Sequence, residues 1–94
     1  MRNWKFDQLC LLARDLNFPF PLSREHYERL ASLVSRLGPP RNWRGVRAKF
    51  ENLRGLLRIG GHKGLYRKGP LDAVVLAFRL NYPKDFERHC NSLL

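Results

Sequence analysis

Trp43, Val46, Phe50, Leu53 and Leu57 recur through the middle of this 94-residue chain at i, i+3, i+7, i+10 and i+14. That spacing follows the turn of an α-helix, about 3.6 residues, and cannot be laid on the two-residue repeat of a strand. The segment therefore predicts a helix with one apolar seam, and Asn42 stands where its cap belongs. Other stretches repeat the pattern. Leu9, Leu12, Ala13 and Leu16 share a face of a helix over about Trp4 to Leu16. Tyr27, Leu30, Ala31, Val34 and Leu37 share one on a helix opening at Ser23, with Glu25 in its first turn.

Prolines and glycines set the breaks. Asn17-Phe18-Pro19-Phe20-Pro21 stops the first helix, because each proline disfavours the helical region for the residue before it. Gly38-Pro39-Pro40 ends the second. Ile59 to Pro70 holds four glycines among basic residues and reads as a loop or a short hairpin. A fourth helix starts near Pro70 with Leu71, Val74, Val75 and Phe78 facing inward. Tyr82-Pro83 breaks it, and Pro83 suits the first turn of a last helix that buries Phe86, Cys90 and Leu93. There is no repeat, low-complexity tract or dividing linker. The expectation is a single all-α domain over residues 1–94, a compact bundle of about five short helices whose second and third form a helix-turn-helix-like pair.

Apolar residues are 44% and aromatics 12%, enough for one modest core rather than a disordered basic tail. No apolar run reaches the roughly 18 residues that would suggest a membrane span. The opening MRNWKFDQLCLLARD has a basic tip, but Asp7 and Asp15 bracket a short apolar stretch, so no signal peptide is read and a cytoplasmic location is expected. Cys10 and Cys90 are then expected as reduced, half-buried thiols rather than a disulfide. Trp4, Trp43 and Tyr27 are assigned to the core.

The charge is unevenly placed. Residues 41–68 carry nine bases and one acid, Glu51, a net of 9 − 1 = +8, whereas the rest of the chain, with nine bases and seven acids, nets 9 − 7 = +2. A total of +10 spread evenly would speak mainly of solubility. Gathered on one element, it suits a phosphate backbone. On a helical wheel Arg44, Arg47, Arg54 and Arg58 form one stripe beside the apolar seam, with Glu51 among them, and Ala48, Asn52 and Gly55 form a stripe of small residues next to it. A helix entering a major groove needs this combination of an anchored side, long cations at the walls and small residues at closest approach. Asn52 has the chemistry to pair with adenine, and arginine's fork suits phosphate or guanine. The same face can also be a solvated one, or can meet an acidic protein.

Arg41, Arg44, Arg47, Lys49, Asn52, Arg54 and Arg58 on the helix, with Lys63, Arg67 and Lys68 on the loop, are the expected nucleic-acid contacts. The loop GGHKGLYRKG has backbone N–H groups to offer a phosphate but lacks the Gly-Lys-Ser/Thr of a Walker loop. Double-stranded DNA is preferred over RNA, because no exposed aromatic pair offers a stacking platform.

Arg41, Asn42, Val46, Lys49, Asn52 and Leu53, then Gly64 and Leu65, then Val75 and Phe78, follow a pattern that resembles the small helical N-terminal domain of restriction-type proteins bearing an HNH nuclease. Tyr66 stands where that pattern usually has serine, and arginine is in surplus. The resemblance spans most of the chain and implies a DNA-associated specificity or docking module in defence against foreign DNA. It does not carry over cleavage, since these residues hold neither a Cys-x-x-Cys pair nor a His-Asn-His set. Catalysis is not expected on other grounds either. Asp85 and His89 share a helix face but are better explained by the ends of the last helix, His26-x-Glu28 lies on an exposed turn, and His62 belongs to the basic loop. The cysteines and histidines lack metal-ligand spacing, so neither metal nor cofactor is expected. The reading is a non-catalytic DNA-binding module. Its rival is a small phage- or plasmid-encoded inhibitor or adaptor that docks on an acidic protein.

Overall fold

The computed structural model describes residues 3–59, 69 and 71–94. Among them the chain forms five helices: α1 (Phe6–Arg14), α2 (Arg24–Val34), α3 (Trp43–Ile59), α4 (Asp72–Asn81) and α5 (Pro83–Ser92). A short 3₁₀ turn, Asp15–Asn17, extends α1. The all-α bundle read from the periodicity is the fold.

The caps explain where the helices begin. Ser23 accepts the His26 N–H at 3.1 Å, and Asn42 accepts the Gly45 N–H at 2.8 Å, so each satisfies a backbone donor that the first turn would leave unpaired. Pro83 opens α5, where its missing N–H costs nothing.

α1 is the axle of the molecule. Gln8, Leu9, Cys10, Leu11, Leu12 and Ala13 are all buried, and α2, α3, α4 and α5 all pack against this helix. A single apolar face on α1 was the expectation. The helix is instead enclosed on every side because four neighbours share it. Gln8 is tolerated there because its hydrogen bonds are made. Its amide donates to the carbonyls of Val34 (2.8 Å) and Pro39 (2.9 Å), and its Oε1 accepts the Lys5 N–H (3.0 Å). These bonds tie the α2–α3 connection to α1. Gly38 belongs to the same junction: a Cβ there would lie 2.8 Å from Lys5 Cγ and 2.9 Å from Gln8 Cδ.

α2 and α3 are the most extensively packed pair. Their connection runs from residue 35 to 42, longer than the roughly three- to four-residue turn of a helix-turn-helix, and Ser35 Oγ closes it by accepting the Arg41 N–H at 3.0 Å. The seam of α3 buries Val46, Phe50 and Leu53, with Tyr27 of α2 edge-on to Phe50 at 5.8 Å between centroids.

Two seam assignments are corrected. Leu57 is 37% exposed and Leu56 is buried in its place, because the last turn of α3 passes the core on a neighbouring arc. Val74 is 53% exposed and lies on the side of α4 away from Asp72 and Val75, which face inward. The wheel was misread there because a buried aspartate takes one of the inward positions. Asp72 accepts the Gly69 N–H (2.8 Å) and lies 3.1 Å from Lys49 Nζ of α3, so an ion pair fastens α3 to α4. Arg79 of α4 reaches the end of α1, donating to the Ala13 carbonyl (3.0 Å) and to Asn17 Oδ1 (2.7 Å).

Cys10 and Cys90 are free thiols, both fully buried rather than half-buried, with Cys90 Sγ 3.5 Å from the Cys10 carbonyl. Burial pushes the Cys10 thiol up to about 12 and the Cys90 thiol up to about 11. Both stay protonated and inert.

Candidate nucleic-acid interface

α3 presents the expected contact residues at different depths. Arg44 and Arg47 stand in solvent on its first turns. Arg47 Nε donates to Glu51 Oε2 at 2.9 Å, one helical turn on, and this hydrogen bond raises the guanidinium pKa further above its ordinary value. Arg54 is half-buried, its guanidinium carbon 3.9 Å from the Phe20 ring centroid. Arg41 is half-buried and lies 4.4 Å from the Trp4 ring.

Lys49 differs from these. Its side chain is 12% exposed and its ammonium is held by the fully buried Asp72, so its charge serves the α3–α4 contact. The stripe of small residues also sinks as the helix proceeds. Ala48 is exposed, Asn52 half-buried and Gly55 buried, which leaves the first half of α3 as its open part. Gly55 is therefore not a point of closest approach to a groove. The Arg58 side chain and Lys63, Arg67 and Lys68 lie outside the described residues, as does the glycine loop itself.

Sequence reasoning missed two contributors. Arg24 opens α2, where a cation meets the positive end of the helix dipole. Its guanidinium lies 4.8 Å from the Trp43 ring, Arg44 lies 5.3 Å from the same ring, and Glu28 pairs with Arg24 at 3.4 Å. A basic residue at so unfavourable a helix end was the available signal. The second contributor is aromatic. Phe18 is 53% and Phe20 41% exposed, which overturns the premise that no aromatic pair is exposed. Both sit in the proline-broken segment, which has no helical seam to bury them. Tyr27 is in the core as assigned, whereas Trp4 and Trp43 are only half-buried.

Between the 20–22 segment and the α2–α3 pair runs a groove of about 470 Å³, floored by Tyr27 and walled by Phe20, Arg24, Trp43, Arg47 and Glu51. A shallower cleft of about 310 Å³ continues past Trp43 to Arg44 and Ala48. Tyr27 is 3% exposed, and its hydroxyl lies beside the Leu22 backbone without a well-formed hydrogen bond among the described residues. Burial, and then the Glu51 carboxylate, raises its pKa above the ordinary tyrosine value, so it remains a neutral hydroxyl.

Two acids are drawn into the interior of the fold. Asp15 is 3% exposed and held by Arg14 (3.1 Å) and by His26 Nε2 (2.7 Å), and Asp72 is 0% exposed. His26 is therefore a half-buried partner of Asp15, not a residue of an exposed turn. His89 pairs with Asp7 at 2.7 Å rather than with Asp85, which pairs with Arg88. Among the described residues no group of histidine, cysteine and carboxylate side chains could hold a metal, and no helix is long and apolar enough to cross a membrane. No protein-family profile, no curated protein and no solved structure matches this chain.

Proposed function

We propose that this protein is a non-catalytic DNA-binding module of the cytoplasm whose contact surface is the open first half of α3 together with the start of α2. The observation that carries the reading is the cluster of Arg24, Arg44, Arg47 and Arg54 on two tightly packed helices, with Glu28 and Glu51 the acids paired there. Guanidiniums braced on Trp43 and Phe20 are ordered before they meet a ligand, so less side-chain entropy is lost on binding. Fixed forks of this kind suit phosphates at the walls of a double-stranded groove. The sequence resemblance to domains of restriction-type proteins adds a context, defence against foreign DNA.

The test is a titration of labelled duplex DNA at several salt concentrations. Release of counterions from about five phosphates gives a slope of log K against log salt near −4 to −5. Absence of binding to any nucleic acid at about 50 mM salt, with the protein folded, would reject DNA and leave the acidic protein surface as the partner to seek.

A further inference from the structure

We infer that the groove beside α3 is a receptor for one unpaired nucleobase, held next to the phosphates that the arginines grip. The inference rests on the DNA-binding reading and adds to it the chemical class of a second ligand.

A surface that only follows a phosphate backbone needs cations. This groove has more than that. Phe20 is 41% exposed although aromatic, and the Arg54 guanidinium carbon lies 3.9 Å from its ring centroid. Trp43, half-buried, lines the same groove with Arg24 and Arg44 against its ring. Aromatic faces and guanidinium planes are the surfaces on which unstacked bases settle, and an aromatic face gains nothing by meeting a phosphate alone. The volume, about 470 Å³, is that of a small-ligand site.

The polar groups suit a base edge as well. Arg47 and Glu51, joined at 2.9 Å, offer a donor beside an acceptor, which matches the donor–acceptor alternation along a Watson–Crick edge. On the floor the Tyr27 hydroxyl, in a residue that is 3% exposed, has the Leu22 backbone beside it but makes no well-formed hydrogen bond among the described residues. A buried hydroxyl in that condition costs free energy, and a ligand that reaches it recovers the bond. A fully paired duplex cannot supply these contacts, because its bases are stacked and their edges are already used. A base at a single-stranded overhang, in a bulge or flipped out of the stack can.

The experiment compares three hairpin DNAs of equal phosphate count and fixed salt, by fluorescence anisotropy. One is fully paired, one carries a single unpaired guanosine beside the duplex, and one carries an abasic residue at that place. The expected result is binding of the unpaired-base hairpin at least about fivefold tighter than the abasic one, the low end for one base stacked on an aromatic ring. In Phe20→Leu that ratio falls to near one, and in Phe18→Leu, which changes an exposed ring outside the groove, it is retained. Thermal unfolding confirms that each variant is folded. Equal affinity for the unpaired-base and abasic hairpins overturns the base receptor while leaving DNA binding intact, and so does a ratio that survives Phe20→Leu. Loss of binding to all three DNAs overturns both readings.

Discussion

Lys49 shows how much a single residue's role depends on what faces it. In sequence it is one of nine bases in the charged stretch, but in the fold its ammonium meets a carboxylate that has no access to water. Lys49→Met leaves Asp72 buried with only the Gly69 N–H among the described residues, and should cost about 3–5 kcal/mol in chemical denaturation, the usual penalty for an uncompensated buried charge. A loss under about 1 kcal/mol would mean that the pair does not fasten α3 to α4. The pair was invisible beforehand because the two residues lie on different helices and a lone charge in sequence looks solvated. The thiols give a second residue-scale expectation. Cys10 is held near 12 in the folded chain by burial first, then by Cys90 and Asp7, against an ordinary 9.0. A raised acid favours the folded state fully below the unfolded value, so this contribution is intact below pH 9 and is lost as pH climbs toward about 12. Denaturation midpoints should fall across that window, and Cys10→Ala should flatten the fall. Ellman's reagent should label neither cysteine at pH 8 without denaturant and both with it.

At the scale of helices, the α3 seam was legible because its signal is local: the fold only had to leave the spacing of Val46, Phe50 and Leu53 undisturbed. Phe50 is 1% exposed and fills the contact with Tyr27, so Phe50→Ala should destabilise by about 3–5 kcal/mol. A change below about 1 kcal/mol, read from urea midpoints, would contradict the placement of this helix. α1 was legible as a helix but not as the axle, since enclosure by four neighbours is a property of the neighbours. The run Leu-Cys-Leu-Leu-Ala hinted at burial beyond one face. Val74 was misplaced for a related reason, because apolar character alone does not say which arc of α4 a buried aspartate will claim. For the candidate interface, charge pointed to α3, but the half of α3 that stays open, the capture of Lys49, and the arrival of Arg24 and Phe20 from other elements all follow from tertiary packing.

For the molecule as a whole, the bundle sorts its charges. Two of its eight acids, Asp15 and Asp72, are buried in internal pairs, while Arg24, Arg44 and Arg47 project from neighbouring helices into one region. If that region is the interface, removing cations from it must differ from removing the same charge elsewhere. Arg44 and Arg54 make no ion pair among the described residues, whereas Arg29 and Arg88 are exposed on α2 and α5 outside the region. The double variants Arg44→Ala/Arg54→Ala and Arg29→Ala/Arg88→Ala carry the same net charge, so any long-range effect of charge is matched between them. Measured on one DNA duplex across a salt series, the first pair should reduce the magnitude of the slope of log K against log salt by about two, and the second should leave it near that of the unaltered protein. Equal losses from the two pairs would contradict the assignment of α3 as the DNA-binding face.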